Sequence, residues 1–462
     1  MAVNASLGSL LGSWQVDGRT EPQGLTVRAR RAWLRSLVAA GGGAALAACA
    51  PRAQPVPQSQ AAPATVQFYF SGDQPTEQLY VTLKEAFERR YPSYKLDLLH
   101  AEDEIEKALA LIAAGTPPDV YWNRVRWSQT LIRREGTLVD LLPLMKRDKI
   151  TQDDFWPSAV KAYTYKGGYY GLPTSASSNA VYFNKNHFRQ AGVPFPDELA
   201  RQGRWDWDAL IEITRKLTRV DSATGEKRYG FVRPTGLVLS VQYMWQNGGT
   251  PFSDDRTQCL LNSKECVGGV QFVTDLVLKH QVTPPVDNPE QADFRKTFKV
   301  AMEQAGRYLL PDIVPALQSG TLDAGMVVAP KGPKKDTTRG DDLAASILKS
   351  TKVLEAAWAF AKLWSDEEGQ LIVLKSNRSY TARRSIARNQ SILKQVLYAW
   401  EDGEMYYSGL NRTEVFPVTP RFIDVTNIYA AEEKAAHAGQ KTPQQAMDSA
   451  CQQIAPLLKE PF

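Results

Sequence analysis

The residues best suited to chemistry are polar and aromatic side chains that directly follow short apolar runs. Asp73 follows the apolar run 65–70, and Trp122 ends a second short run, with Arg126 four residues further on. A carboxylate accepts hydrogen bonds from hydroxyls, a guanidinium donates them, and an indole offers a flat apolar face. These groups together indicate noncovalent capture of a small polar molecule.

The spacing patterns of common catalytic sites are missing from the sequence. There is no nucleophile elbow, no Ser/His/Asp pattern and no phosphate-binding loop. The four histidines lack metal-ligand spacing and no Cys-x-x-Cys pair occurs, so we predict no metal, no cofactor and no catalytic residue. The alternative is an exported glycoside hydrolase, whose two carboxylates stand about 5–10 Å apart and for which Asp119 and Glu303 are examples of candidates.

The composition indicates two ordinary globular domains. The chain has 462 residues, of which 43% are hydrophobic and 23% are charged. The formal net charge of +5 includes five arginines and two acidic residues within residues 1–48, so the remainder carries only about +2. A chain this close to neutral lacks the concentrated basic face that nucleic-acid binding requires.

An export signal is predicted in residues 1–48. Arg30 and Arg31 precede an apolar stretch, residues 36–48, that is too short to span a bilayer as a stable helix. The paired arginines resemble a twin-arginine signal, which exports folded chains. Because this signal starts late, Leu25 or Val27 is an alternative to Met1 as the first translated residue.

A lipid anchor is predicted at Cys49. Leu46-Ala47-Ala48-Cys49 resembles a bacterial lipobox, in which the cysteine is lipidated and becomes the new N-terminus after cleavage. Residues 49–64, rich in Pro, Ala and Gln, predict a flexible tether behind it. We therefore expect an exported protein anchored at the outer face of the cytoplasmic membrane. An ordinary apolar helix that contains a cysteine is the alternative.

Cys259 and Cys266 are close in sequence, and Cys451 is distant from both. Outside the cytosol, Cys259 and Cys266 could form a local disulfide across a short turn. Two separate buried thiols are an equally acceptable interpretation.

Strands and helices alternate at the start of the mature chain. Apolar residues 65–70 predict a strand, and Leu79, Leu83, Phe87 and Tyr91 have helical spacing. A strand at 95–99, a helix at 105–114 and a strand at 119–122 follow. This alternation predicts a doubly wound parallel sheet, in which ligands lie beyond the carboxyl ends of the strands.

The later part of the chain is predicted to form a second unit. A helix with Asp206 or Asp208 as its cap runs to Leu217, and a second helix covers 270–278. Short strands are expected near 297–304 and 324–330, and the chain is mostly helical from residue 353.

Several segments, in order, resemble the bacterial extracellular solute-binding proteins of the sugar-binding type, the family that includes maltose-binding protein. The segments are Gly72-Asp73, 116–120, 171–173, 181–192, 298–308, 352–368 and 441–447. They cover residues 65–455, and their order carries more weight than any single segment.

The resemblance implies an α/β fold of the two-lobed periplasmic-binding-protein type (type II). Each lobe is expected to hold a mostly parallel sheet flanked by helices, and crossover segments act as hinges. We assign residues 65–175 and 297–345 to the N-terminal lobe, and 176–296 and 346–462 to the C-terminal lobe.

The resemblance also implies a function. We expect the monomeric substrate-binding component of an ABC importer, which closes on a mono- or oligosaccharide and delivers it to permease subunits in the membrane. A glycerol-phosphate or other small-solute receptor, for which Arg126, Arg307 and Arg383 supply candidate cations, is the first alternative. A sensor that does not transport is the second.

The resemblance and the strand ends together nominate a set of ligand-binding residues. They are Asp73, Trp122, Arg126, Ser177, Asn179, Trp245, Tyr308, Tyr380 and Arg383. Tyr308 is the expected aromatic platform. Each has a structural alternative: helix capping for Asp73, core packing for the aromatic residues, a solvated charge for Arg126 and loop hydrogen bonds for Ser177 and Asn179.

Overall fold

The computed structural model describes residues 64–102, 105–220, 225–232, 234–286 and 294–462. The predicted signal, the lipidation site Cys49 and the tether up to residue 63 lie outside these residues. Within the part that is described, no helix is both long enough and apolar enough to cross a membrane.

The described elements are numbered in chain order. The strands are β1 (Ala64–Ser71), β2 (Tyr94–Ala101), β3 (Val120–Arg124), β4 (Thr164–Tyr165), β5 (Gly168–Tyr169), β6 (Leu172–Ser175), β7 (Ala180–Asn184), β8 (Arg219–Val220), β9 (Lys227–Arg228), β10 (Met302–Ala305), β11 (Ala324–Val328), β12 (Thr338–Arg339), β13 (Leu343–Ile347) and β14 (Thr413–Glu414). The helices are α1 (Gln74–Arg90), α2 (Glu106–Ala113), α3 (Val125–Ile132), α4 (Leu142–Arg147), α5 (Pro157–Tyr163), α6 (Lys185–Ala191), α7 (Pro196–Arg201), α8 (Trp207–Leu217), α9 (Leu237–Gln246), α10 (Lys264–Leu278), α11 (Leu310–Gln318), α12 (Leu354–Ser365), α13 (Glu367–Lys375), α14 (Arg384–Ala387), α15 (Gln390–Val396), α16 (Gly403–Leu410), α17 (Phe422–His437) and α18 (Pro443–Ile454).

Local sequence signals set the ends of several helices. The Asp73 carboxylate accepts hydrogen bonds from the Thr76 amide at 3.2 Å and the Thr76 hydroxyl at 2.7 Å, which satisfies a free donor in the first turn of α1. Asp206 does the same for α8, accepting from the Ala209 amide at 2.9 Å. The cap predicted for α8 is therefore confirmed at Asp206.

The first sheet has five strands in the order β2-β1-β3-β13-β6. β1 runs parallel to β2 and β3, as predicted, and β13 runs antiparallel to β3 and β6. The helical stripe of α1 and the aromatic face of α12 cover the sheet, with Phe68 packed between Tyr80, Phe360 and Trp364. This aromatic packing fixes the carboxyl edge of β1 and β3, where the site is built.

The second sheet is smaller and differs from the expected pattern. Its order is β10-β7-β11, and β7 is antiparallel to both neighbours rather than part of a mostly parallel sheet. Tyr182 of β7 faces one core, and its neighbours Val181 and Phe183 face another. A strand buried on both faces reads as a continuous apolar run, so its direction has no signature in the sequence.

Sheet membership also corrects the predicted lobe segments. β10 and β11 fall in the segment assigned to the N-terminal lobe, yet both pair with β7. Conversely, α12 falls in the segment assigned to the C-terminal lobe but packs in the core of the first sheet. The reason is that β7 is a central strand and needs a partner on each side. We therefore propose 64–175 and 343–365 for the first lobe, and 180–328 and 384–462 for the second lobe.

Three crossover segments connect the lobes side by side: 176–179, 329–342 and 376–383. Ala176 and Tyr380 exchange backbone hydrogen bonds of 2.9 and 3.1 Å. On the other side, the Asn179 amide donates to the Arg339 carbonyl at 3.0 Å. The predicted first crossover thus forms the middle strand of a narrow three-stranded connection.

Helices α9, α10, α17 and α18 form a separate core in the second lobe. A disulfide joins Cys259 to Cys451 of α18, with Cα atoms 5.4 Å apart, and Cys266 is a buried free thiol. The predicted Cys259–Cys266 bond is therefore wrong. Cys266 is buried in the core formed by these helices, next to Gly249, whereas Cys259 pairs with Cys451.

Candidate functional site

A cavity of about 580 Å³ is lined by both lobes and by the crossover segments. The first lobe contributes Thr76, Leu79, Tyr80, Trp122, Arg124, Arg126, Ser175, Leu343 and Trp364, and the second lobe contributes Thr235–Leu239, Tyr308, Thr426, Asn427 and Ala430. The crossovers and the adjoining end of α13 add Ser177, Arg339, Asp341, Val373, Arg378 and Ser379. A volume of this size suits a small molecule of more than one ring.

The first-lobe wall is built at the carboxyl edge of the sheet. β3 ends at Arg124 and α3 begins at Val125, so the side chains of Trp122, Arg124 and Arg126 are brought to one edge. Asp73 follows β1 at the same edge and forms an ion pair of 2.8 Å with Arg378. This is the position at which doubly wound sheets bind ligands.

A single carboxylate oxygen holds three guanidinium groups at the crossover. Oδ2 of Asp341 lies 2.7 Å from Arg126, 3.0 Å from Arg339 and 3.5 Å from Arg124. Burial alone would raise the pKa of Asp341, but these three cations outweigh it and hold the pKa well below its usual range. Asp341 is therefore a carboxylate at every physiological pH.

The adjacent carboxyl group behaves in the opposite way. Asp342 accepts hydrogen bonds of 3.0 Å from the Ser177 amide and 3.0 Å from the Ser158 hydroxyl. Burial raises its pKa to about 6, and these hydrogen bonds offset only part of that effect. Two neighbouring residues thus place one fixed charge and one titratable group beside the cavity.

The aromatic residues of the cavity differ in how much of their ring is accessible. Tyr80 and Trp364 are buried in the first core, and Trp122 is only 3% exposed, with the Arg124 guanidinium 4.4 Å from its ring centroid. Tyr308 is half-buried, and the Arg295 guanidinium lies 5.6 Å from its ring. Of these four aromatic residues, Tyr308 offers the most open face.

The second-lobe wall includes the first turn of α9. Gly236 precedes the helix with φ of +78°, a conformation that favours glycine, and its amide donates to Glu433 at 2.6 Å. The following residues, Leu237 and Val238, line the cavity. A helix N-terminus carries a partial positive charge, and here the Glu433 carboxylate offsets it.

A family model described as bacterial extracellular solute-binding protein matches residues 72–371. The chain belongs to this family. The matched region covers most of both sheets and all three cation partners of Asp341, so the family's framework includes the wall described above.

Relatives with similar sequences match this chain over different lengths. An arabinooligosaccharide-binding protein of Bacillus subtilis (strain 168) is 25% identical over 214 residues, 45% of this chain and 46% of that protein. A binding protein of Brucella abortus (strain 2308) is 23% identical over 404 residues, 82% of this chain and 89% of that protein. The solute-binding protein thus spans about half the length of the first relative and most of the second.

Solved structures share the fold. The Listeria monocytogenes ABC substrate-binding protein Lmo0181, in complex with cycloalternan, has a TM-score of 0.72 at 22% identity, covering 85% of this chain and 98% of that one. The GacH receptor of Streptomyces glaucescens has a TM-score of 0.70 at 19% identity, covering 86% and 99%. The expected two-lobed α/β fold is therefore confirmed.

Four of the nine predicted ligand-binding residues line the cavity of this solute-binding protein. They are Trp122, Arg126, Ser177 and Tyr308. Asp73 is not part of the lining: it pairs with Arg378, which is, and it caps α1, as its structural alternative predicts.

The other four have structural contacts elsewhere. Trp245 is buried in the core of α9, α10, α17 and α18, and Tyr380 is fully buried with its hydroxyl donating to Glu401 at 2.8 Å. Arg383 pairs with Asp154 at 3.2 Å. Asn179 is buried in the crossover ladder, where its carbonyl accepts from Thr338 at 3.3 Å.

Sequence reasoning missed Arg124, Arg339, Asp341, Arg378 and Asn427. Arg124 had a usable signal, because residues two apart on a strand share a face and Trp122 was already nominated. Arg339 and Asp341 lie in a polar segment without periodicity, and only the crossover pairing brings them to the cavity. Nothing local distinguishes them from surface residues.

The carboxylates named for a hydrolase lie outside the cavity lining. Asp119 accepts from the Gln67 amide at 2.8 Å, at the start of β3, and Glu303 pairs with Arg295 at 2.7 Å. Across the described ranges, no group of three or more His, Cys, Asp or Glu side chains is placed to hold a metal ion.

Proposed function

We propose that this chain is the carbohydrate-binding component of an ABC importer. The observation that carries the proposal is the cavity of about 580 Å³, which is lined from both lobes and lies beside crossover segments that pair in antiparallel fashion. A ligand there completes its contacts only when both walls reach it, so binding favours closure of the lobes. The importer then distinguishes loaded from empty receptor by shape.

The ligands for which the relatives are named support a carbohydrate. Two are arabinooligosaccharide-binding proteins, one is a maltotriose-binding protein, and solved relatives hold cycloalternan or maltose. In this chain, Tyr308 supplies an aromatic face for the C–H surface of a sugar ring. Ser177, Asn427 and Arg339 supply groups that bond hydroxyls.

A thermal-shift screen of the purified chain tests the proposal. The panel contains arabinose and maltose oligosaccharides, monosaccharides and glycerol phosphate. A ligand that binds only the folded state adds about 2.7 kcal/mol of stability at a hundredfold excess over Kd, which is readily measured. Small-angle scattering of the best ligand's complex should then show a smaller radius of gyration than the free protein. The absence of any carbohydrate hit would contradict the proposal.

A glycerol-phosphate receptor is the second candidate, and the arginine-rich wall favours it. Of the three cations named for phosphate in the sequence, Arg126 lines the cavity, whereas Arg307 and Arg383 are engaged in structural contacts. The glycerol phosphate arm of the screen decides between the candidates. Binding of glycerol phosphate without any sugar hit would select the second.

We propose that the chain binds its ligand without chemical change. The carboxylates named for the hydrolase alternative are engaged with Gln67 and Arg295, away from the cavity lining. Incubation of the best oligosaccharide with the protein, followed by chromatography, should recover the ligand intact. New, shorter saccharides would contradict this part of the proposal.

Export and lipidation at Cys49 complete the proposal, together with a monomeric receptor that delivers to permease subunits. Metabolic labelling with a fatty acid in a host that processes lipoproteins should label the protein and not Cys49→Ser, which should be released from the membrane. Equal labelling of both would contradict the anchor. Size-exclusion chromatography of the released protein should give the mass of one chain.

A further inference from the structure

We propose that the ligand is an acidic carbohydrate, whose carboxylate or phosphate group contacts the Arg339 side of the cavity. The inference rests on the proposed carbohydrate-binding function and narrows its ligand class. The key residue is Arg339, because it is buried, charged and positioned between the lobes.

Arg339 has incomplete compensation for its charge. It is 3% exposed, its ion-pair partner is Asp341 at 3.0 Å, and its buried Nε has no hydrogen-bond partner. The Asp341 oxygen that it contacts is also contacted by Arg126 and Arg124. A buried cation that shares its counter-charge is costly, and an anion placed beside it removes that cost.

The electrostatics of the guanidinium agree with this geometry. Burial lowers the pKa of Arg339, and Asp341 opposes this effect while Arg126 adds to it, so that the pKa stays below its usual value. Among the described residues that line the cavity there are four arginines and one carboxylate, Asp341, and one of these arginines, Arg378, is paired with Asp73 outside the lining. The cavity therefore favours a negatively charged guest.

The ligand must also donate a hydrogen bond, which points to a hydroxylated acid and not to a bare anion. Oδ1 of Asp341 is buried and accepts no hydrogen bond, although Oδ2 is saturated by guanidinium groups. A sugar acid presents hydroxyl donors beside its oxyanion and can offer a partner to both side chains, the carboxylate of Asp341 and the guanidinium of Arg339. Inorganic phosphate as a dianion keeps one O–H donor, but it is far too small to fill a cavity of about 580 Å³.

The size and the remaining wall fit a short saccharide. A cavity of about 580 Å³ exceeds what a three-carbon phosphate ester fills. The half-buried ring of Tyr308 and the apolar side chains of Leu237 and Val238 provide surfaces for sugar C–H groups. The arginines then bind one end of the ligand and the second lobe binds its rings.

Matched ligand pairs test the inference by titration calorimetry on the full chain. Each pair consists of a uronic-acid oligosaccharide and the neutral oligosaccharide of the same stereochemistry, with sugar phosphates and inorganic phosphate as further arms. We expect at least one acidic sugar to bind about tenfold or more tightly than its neutral counterpart, with an affinity that falls as salt rises. The uronate and sugar-phosphate arms identify which oxyanion is preferred.

Variants connect the result to Arg339. Arg339→Met keeps the length of the side chain and should reduce the affinity for the acidic sugar about tenfold or more, with less than about a threefold effect on the neutral one. Arg378→Met is the second variant in case Arg339→Met does not fold. The control is Arg189→Met, an exposed arginine paired with Asp323 outside the cavity, which should change neither affinity.

The outcomes separate the inference from the proposed function. Neutral sugars that bind as tightly as their acidic counterparts would overturn the inference and leave the receptor function standing. Tight binding of inorganic phosphate, with no sugar bound, would overturn the carbohydrate function and the hydroxylated-acid part of the inference. A panel without any binder would overturn both.

Discussion

Two buried arginine sites lie within the same molecule and use their charge in different ways. Arg307 is fully buried, and its guanidinium contacts both oxygens of Glu401 at 2.9 and 3.0 Å and the Leu374 carbonyl at 2.8 Å. Arg339 is equally buried but shares one oxygen of Asp341 with two other arginines. One site is saturated, and the other retains an unpartnered Nε.

The pKa values of the two guanidinium groups reflect this difference. Burial lowers the pKa of both, but at Arg307 the attraction of Glu401 outweighs burial and raises the pKa, whereas at Arg339 the shared Asp341 does not. A buried arginine whose charge is fully paired has a structural role. A buried arginine whose charge is only partly paired can still attract an anion. Burial alone therefore does not distinguish an arginine with a structural role from an arginine that binds a ligand.

The largest expected effect comes from breaking the saturated site. Arg307→Met leaves Glu401 buried without a counter-charge and should lower the free energy of unfolding by about 3–5 kcal/mol, measured by urea denaturation. The double variant Arg307→Met/Glu401→Gln should recover part of this loss. A loss below about 1 kcal/mol would show that the pair is not a stabilising element.

Removing the shared carboxylate is the next largest change. Asp341→Asn leaves three guanidinium groups facing one another and should cost about 2 kcal/mol of unfolding free energy, a loss that added salt reduces by screening. The control is Asp323→Asn, an exposed partner of Arg189, which should cost less than about 0.5 kcal/mol. If the two substitutions lower the free energy of unfolding equally, the Asp341 carboxylate contributes no more to stability than a surface carboxylate does.

Asp342 differs from both arginine partners, because it is a buried carboxyl without an ion-pair partner among the described residues. Its pKa of about 6 in the folded state exceeds the usual 3.8, so the folded state holds the proton more tightly and stability is lost as pH rises from about 4 through 6. Asp342→Asn cannot ionise and should gain stability relative to the parent over this range, by up to about 2 kcal/mol at pH 7.5. Melting temperatures of both proteins from pH 4.5 to 8 check this, and a constant difference would contradict it.

The smallest effect on stability is expected at Tyr308. Tyr308→Ala should weaken the best carbohydrate ligand about tenfold through loss of the aromatic face, and should change the free energy of unfolding of the ligand-free protein by less than about 1 kcal/mol. Titration calorimetry and thermal denaturation measure the two quantities. An unchanged affinity would show that the platform lies elsewhere.

The sequence predicts what local patterns determine. The strand at β1, the helical stripe of α1, the cap at Asp206 and the edge that carries Trp122 all follow from the spacing of neighbouring residues. The ordered segments also predicted the family and the two-lobed fold. These features need no knowledge of which distant segments meet.

The predictions that were wrong all depend on contacts between residues far apart in the sequence. Cys259 bonds to a residue 192 positions away, and no local pattern favours that partner over Cys266. Trp245 and Tyr380 were predicted to contact the ligand, but helices from distant parts of the chain bury both side chains. Arg339 reaches the cavity only because its segment pairs with residues 176–179 across the hinge.

The Cys259–Cys451 bond has a consequence for proteolysis outside the cell. The covalent ring that it closes contains two of the three crossovers and α12 of the first lobe. A single cut by an extracellular protease anywhere inside this ring leaves the two fragments attached to each other. The nicked protein would keep its mass on a non-reducing gel and separate into two pieces only after reduction.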